Sequence, residues 1–330
     1  MRPRNLELIE IAKKYVQEEM SYCTYACLIG SVARGEADDF SDIDLICFTG
    51  RETYLGKHDV SYKGEVIQID VKSILEFPSK ELFSYNPWHY RYLVESVIIK
   101  DTNGELSKLQ GWSKSYFGSI QGQKDVIRDV TTIVEGRKDY AIKQMNIGKD
   151  FAATHAAIGA WTEAALLYQF LYENRVSIGS LMPTLRKLNF FPKIVDLLPI
   201  GPVEEVDIKE ASNTMTTLRL YLKNAGFEHL PSISDLQDKI WHNKADRLML
   251  EGDLYNYLWL SYSEAFLLLL ETSQDEDFES YFKQLPTALQ RQLEDLGLVS
   301  LQPEDIHQIL DIGDKMMEYA KDQLKSEQGS

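Results

Sequence analysis

The chain has 330 residues, a formal charge of −16 and 44% hydrophobic residues, with 18 Tyr and 13 Phe. That length exceeds the usual single core, and the apolar content can fill more than one, so two domains are expected. The acidic balance excludes broad binding along a nucleic-acid backbone, which needs a basic surface, and suits a polycationic small molecule better.

At the N-terminus, Arg2, Pro3, Arg4 and Asn5 lead into an amphipathic helix over Leu6 to Met20 rather than a signal-peptide core. Tyr25 to Ile29 is an apolar run of strand length that stops at Gly30, and the polar stretch after Ser31 predicts one or two helical turns. Ser41 precedes a second strand, Asp42 to Phe48, rich in branched and aromatic side chains. Gly30 permits close backbone approach, and the amides of Ser31 and Val32 at a helix start suit anionic oxygens. Side chains alternate along a strand, so Asp42 and Asp44 share a face. Two adjacent carboxylates repel unless a cation lies between them, and Mg²⁺ takes such oxygens together with substrate phosphates. Taken separately, each half is a turn or a pair of solvated aspartates; joined at this spacing, they form a place for nucleotide phosphates and metal.

Lys57 to Tyr62 and Glu65 to Ser73 flank Lys63 and Gly64 and predict a hairpin. In its second arm Ile67, Ile69 and Val71 face one way, and Gln68, Asp70 and Lys72 the other. Asp70 is therefore the expected third metal ligand, with Glu65 as runner-up, since two metal ions need a carboxylate cluster. Arg34, one turn beyond Ser31, is placed to grip phosphate oxygens in a bidentate way, with a surface pair to Glu36 or Asp38 as the plainer alternative. A short strand over Ser96 to Lys100 and a helix from Glu105 towards Tyr116 complete this part. Trp88 to Tyr92 is an aromatic run for packing or for stacking on an acceptor or base. Cys23, Cys27 and Cys47 are odd in number and lie in or near strands, which predicts reduced core thiols and a cytoplasmic protein.

Beyond Ile120 the periodicity is helical, with segments near 120–146, 149–174, 181–190, 204–226, 234–249, 251–271, 275–296 and 303–325. Pro192, Pro199, Gly201 and Pro202 suggest a subdomain joint near 192–203. The most apolar stretch, Tyr255 to Leu270, carries Asn256 and Glu264 and is too short to span a membrane. Glu163, on a helix apolar on nearly every side, must be paired, protonated or functional, and a structural hydrogen bond is favoured. His155, on the same helix, is expected to be a satisfied core residue. The expected fold is α+β: a small mixed-sheet domain over 1–119, then an all-helical, acceptor-binding domain over 120–330.

Gly30, Ser31, Arg34, Gly35 and the run Ser41, Asp42, Ile43, Asp44 resemble the signature of the DNA polymerase β-like nucleotidyltransferase superfamily, over about the first hundred residues. A second stretch, with Asp139, Tyr140, Ala141 and Lys143, is similar to a segment of the kanamycin nucleotidyltransferase group, where a glutamate is the proposed general base and a lysine contacts phosphates. The resemblance implies a Mg²⁺-dependent enzyme, with two ions, that moves AMP from ATP, or another nucleotide from its triphosphate, onto a hydroxyl of a small aminoglycoside-like acceptor. It assigns catalytic roles to Asp42, Asp44, Asp70 and Asp139, metal ligation to Asp42, Asp44 and Asp70, and nucleotide binding to Gly30, Ser31, Arg34 and Lys143. Asp139 is one methylene shorter than the family's glutamate, and Glu163 is the alternative base. Homodimers with shared sites occur among such enzymes; no membrane and no stable nucleic-acid partner are expected. The rivals are an enzyme acting on protein or nucleic acid, and a non-enzymatic nucleotide-binding regulator.

Overall fold

The computed structural model describes residues 2–200, 205–274 and 276–328. In chain order these form α1 (Pro3–Glu18), β1 (Tyr25–Ile29), α2 (Gly30–Arg34), β2 (Ile43–Thr49), β3 (Gly56–Tyr62) and β4 (Glu65–Ser73). Next come α3 (Lys80–Tyr85), α4 (Pro87–Tyr90), α5 (Tyr92–Glu95), β5 (Val97–Asp101), α6 (Glu105–Phe117), α7 (Ile120–Asn146) and α8 (Asp150–Glu173). The remainder is helical: α9 (Leu181–Leu185), α10 (Phe191–Leu197), α11 (Glu205–Leu222), α12 (Asp235–Glu251), α13 (Leu254–Ser273), α14 (Phe278–Gln284), α15 (Thr287–Asp295) and α16 (Pro303–Gln328). The class is α+β with a helical C-terminal part, as the periodicity indicates. Two compact units emerge, Met1–Asp125 with Glu228–Arg247, and Val126–Phe227 with Leu248–Ser330. The first unit thus takes in most of α12, a segment that a single break near residue 120 does not include.

In the first unit a five-stranded sheet has the order β3-β4-β2-β1-β5. Only β2 and β4 run parallel; the other neighbours are antiparallel. Alternation gives the sheet two different faces. On one, Ala26, Leu28, Ile43, Leu45, Cys47, Ile67, Ile69 and Val71 pack with Leu8, Ile9, Ala12, Tyr15 and Val16 of α1 into the core. Burying apolar surface at about 25 cal/mol per Å² holds this layer together. The opposite face carries Asp44, Gln68, Asp70 and Asp59. All three cysteines are buried and free.

The second unit is wholly helical among its described residues. The apolar α8 packs against α16, and α11 packs against α13. Trp161 and Trp259 meet edge to face with ring centroids 5.5 Å apart. His155 is buried among Phe151, Phe266 and Phe278, with Nδ1 at 2.8 Å from the Tyr262 hydroxyl. Its Nε2 has no hydrogen-bond partner among the described residues, so it is only half satisfied. Burial pushes its pKa down to about 3, which keeps the ring neutral.

Two helices differ from expectation. The segment near 275–296 is broken in two, because Leu285, which precedes Pro286, is extended with ψ 153°. The segment near 181–190 is helical only as far as Leu185; Arg186 to Phe190 form turns, and a new helix begins with Pro192 in its first turn. Residues 201–204, which include Gly201 and Pro202 of the expected joint, lie outside the described residues. No described helix is long and apolar enough to cross a membrane.

Candidate functional site

The site is built where β1 ends. Gly30 has φ +68°, a left-handed conformation that favours glycine. A Cβ at this position would lie 2.1 Å from Oδ2 of Asp44, so the carboxyl can tuck against the backbone only because residue 30 has no side chain. Gly30 opens a five-residue helix, and Gly35 at φ +79° ends it, its N–H donating to the carbonyl of Val32 at 3.2 Å. The loop that returns to β2 is fixed by a small turn. The Ser41 hydroxyl donates to Asp38 Oδ1 at 3.0 Å and accepts the Asp38 N–H at 3.0 Å, while the Phe40 N–H donates to the same carboxylate at 2.9 Å. Asp42 is delivered directly from this turn.

Asp42 and Asp44 are brought together as the sequence suggests. Oδ2 of Asp42 is buried without a hydrogen-bond partner, an arrangement that is costly for a carboxylate unless something else supplies the missing contact. Burial, and then the charge of Asp42, push the Asp44 carboxyl up to about 7; Asp59 adds to the rise, while Lys244 and Arg34 oppose it. Repulsion between neighbouring acids and an orphaned oxygen are what a hard divalent cation would relieve. The donor set fits one such ion, since Mg²⁺ is commonly held by one or two carboxylates together with substrate phosphates.

The structure does not bring Asp70 to this pair. In the parallel ladder Asp44 stands opposite Gln68, and Asp70 stands opposite Ile46, one side-chain repeat further along the same face. Asp70 is instead 3.4 Å from the ammonium of Lys72. Among the described residues no three His, Cys, Asp or Glu side chains gather in a way that could hold a metal ion. The row across the sheet reads Ile29, Asp44, Gln68, Asp59, so a neutral amide sits beside Asp44 and the next acid is one strand further out. Glu65, the runner-up, pairs with Arg4 at 2.7 Å.

Ser31 lies in the first turn of α2, with its carbonyl accepting the Glu36 N–H at 3.0 Å. Arg34 is held by Glu36 at 2.9 Å and by Glu95 at 3.3 Å, and Glu95 also pairs with the buried Arg91 at 3.3 Å. The expected surface pair with Glu36 therefore exists alongside an electrostatic influence on Asp44. Asp139 and Lys143 are exposed on α7 and belong to the second unit, as does Glu163. Glu163 is paired through Oε1 with Arg137 at 3.0 Å. In the aromatic run, Tyr90 stacks on Phe83 at 5.0 Å and Arg91 is buried against Phe117, which is packing within the first unit.

Four residues near the site escape a reading of the sequence: Asp59, Gln68, Gln237 and Lys244. The two-residue turn at Lys63 and Gly64 sets the hairpin register, so the pairing of Asp59 with Gln68 is countable from the sequence. That β4 lies parallel to β2, with Gln68 rather than Asp70 opposite Asp44, has no local signal.

Residues 9–105 match the family model described as the nucleotidyltransferase domain, a span that runs from within α1 to the first residue of α6 and includes the Gly30 turn, Asp42 and Asp44. No curated protein matches the chain. Among solved structures the chain is similar to a nucleotidyltransferase-like protein from Exiguobacterium sibiricum 255-15, at 12% identity over 80% of each chain with a TM-score of 0.33. That structural likeness is too loose to bear on the site. The domain match supports nucleotidyl transfer in general.

Proposed function

We propose that the chain transfers a nucleoside monophosphate, AMP from ATP or the equivalent from another triphosphate, to a hydroxyl group of a small molecule. The observation that carries this is the buried, partnerless Oδ2 of Asp42 beside Asp44, directly under the Gly30 turn. A divalent cation held by Asp42 and Asp44 would neutralise charge on the donor's phosphates. The backbone amides at Ser31 and Val32 bind terminal phosphate oxygens, and Arg34 adds a fixed cation beside them. The acceptor oxygen forms a bond to the α-phosphorus, the bond to the bridging oxygen of the β-phosphate breaks, and pyrophosphate leaves. The acceptor's proton passes to a carboxylate, for which Asp139 is the candidate by resemblance, with Lys143 as a second phosphate ligand. An aminoglycoside-like acceptor suits the charge of −16. Incubation with labelled ATP, Mn²⁺ and a panel of hydroxylated antibiotics tests the assignment through pyrophosphate release, which Asp42→Ala and Asp44→Ala should each abolish. No release with any acceptor, from protein that binds ATP, would sink it.

That last outcome would favour a second reading, a nucleotide-binding regulator without turnover. The specific observation behind it is Gln68, an amide where a third carboxylate would complete a two-ion site.

A further inference from the structure

The segment of α12 that folds into the first unit is not explained by the sheet or its core. It is attached at both ends. At its start the Ser234 hydroxyl and the Gln237 side-chain amide both donate to Asp59 Oδ2, at 3.1 and 3.0 Å, across about 175 positions of sequence. The Ser234 oxygen also accepts the Gln237 N–H at 3.2 Å, which caps the first turn. Lys239 reaches the carbonyl of Gly64 at 3.5 Å. At the far end Arg247 is 3.8 Å from Asp38, the residue whose carboxylate organises the turn that delivers Asp42. Gln237 and Lys244 are two helical turns apart and so share a face. Lys244 is half-buried and close enough to act electrostatically on Asp44.

We propose that α12 is a phosphate-binding arm in which Lys244 contacts the phosphates of a bound nucleoside triphosphate and Asp59 acts as the latch that positions it. This rests on the nucleotide site of the preceding subsection and deepens it. A lysine is a compact point charge on a flexible four-carbon stem. Its charge reaches Asp44 and eases the ionisation of that carboxyl. A divalent cation held by Asp42 and Asp44 would repel the ammonium and leave Lys244 free to take phosphate oxygens of a bound triphosphate. The helix stays fixed by its two attachments, so only the side chain has to move. Asp59 is then a positioning residue, consumed by the arm rather than by a metal, which accounts for an acid in the Asp44 row that two helix side chains cover.

The test is calorimetric titration of the full chain with ATP and MnCl₂. Lys244→Met should weaken ATP binding by about tenfold or more, the scale of one lost charge-assisted hydrogen bond, and Lys244→Arg should restore part of it. Asp59→Asn should also weaken binding, and in the double variant it should add little to Lys244→Met, a coupling that a merely structural role would not produce. If wild-type protein binds ATP and Lys244→Met binds it equally well, with an unchanged circular dichroism spectrum, the arm is overturned while the nucleotide site stands. If wild-type protein binds no ATP, the nucleotide site itself fails and the arm falls with it. Should Lys244→Met not fold, Lys244→Gln and the Asp59→Asn arm carry the same comparison.

Discussion

Replacing Asp44 by Asn should make the metal-free protein more stable at neutral and alkaline pH. The carboxyl's pKa lies at about 7 in the fold against 3.8 ordinarily, because it is buried beneath Gly30 and faces Asp42. A raised acid binds its proton more tightly in the folded state, so the stability it allows is full below about pH 4 and is lost as the pH climbs to about 7. A rise from 3.8 to about 7 sets an upper limit of ~4 kcal/mol. Lys244 and Arg34 offset part of the rise, and relaxation around the carboxylate screens more of it, so about 2 kcal/mol is the reasonable expectation. For a unit of this size that is roughly 4 to 8 °C in Tm. Differential scanning fluorimetry of wild type and Asp44→Asn, from pH 4 to pH 8.5 in chelator, gives the comparison. The variant should melt higher at pH 8, with the gap closing towards pH 4. Adding Mn²⁺ should raise the wild-type Tm and leave the variant unmoved. A gap of either sign that does not change with pH would refute the electrostatic account.

Asp70→Asn should leave Mn²⁺ affinity within about twofold of wild type, since the structure places Asp70 on Lys72 rather than on the Asp42 and Asp44 pair; a loss comparable to that of Asp42→Ala would show that the strands shift on binding. In the second unit His155 is held neutral, with its pKa pushed down to about 3 by burial, so the unfolded chain takes up the proton first and stability falls as the pH drops below 6.5. That single group accounts for about 2 kcal/mol lost by pH 5. His155→Phe should be less stable at pH 7.5, by about 1–3 kcal/mol for the abandoned Tyr262 hydroxyl, yet flatter between pH 7.5 and pH 5 in urea denaturation; an unchanged slope would contradict the assignment.

Much of the first unit is legible in the sequence because its signals are local. Tyr25 to Ile29 reads as a strand from its run of apolar residues, and the alternation of Ile67, Ile69 and Val71 with Gln68, Asp70 and Lys72 predicts the two faces that the sheet has. The link between Gly30 and Asp44 is also half visible. The glycine is readable as a turn, but its reason, a carboxylate 2.1 Å from where a Cβ would be, belongs to tertiary packing. Asp70 shows the limit most clearly. Alternation puts it on the correct face, yet alternation has a period of two and cannot say which row a residue occupies. That depends on how β4 slides along β2 across a crossover, and the answer is Gln68 opposite Asp44. For α12, periodicity reveals a helix over 234–249 but not that Ser234 and Gln237 return to Asp59.

The amide at position 68 and the lysine at position 244 are two parts of one electrostatic arrangement. Asp44 already resists ionisation, with burial and Asp42 driving it upwards and Asp59 adding a little more. A glutamate at position 68 would lie directly across the ladder from it and add a further like charge in a partly desolvated setting, where such pairs are most unfavourable. Gln68 keeps a polar side chain in the row without that repulsion. Lys244 brings a cation near the same carboxylate from a helix anchored on Asp59, while Arg34 is shared between Glu36 and Glu95. The Asp44 row therefore holds an amide where a third carboxylate would add repulsion, and a lysine from α12 lowers the cost of the charge that remains.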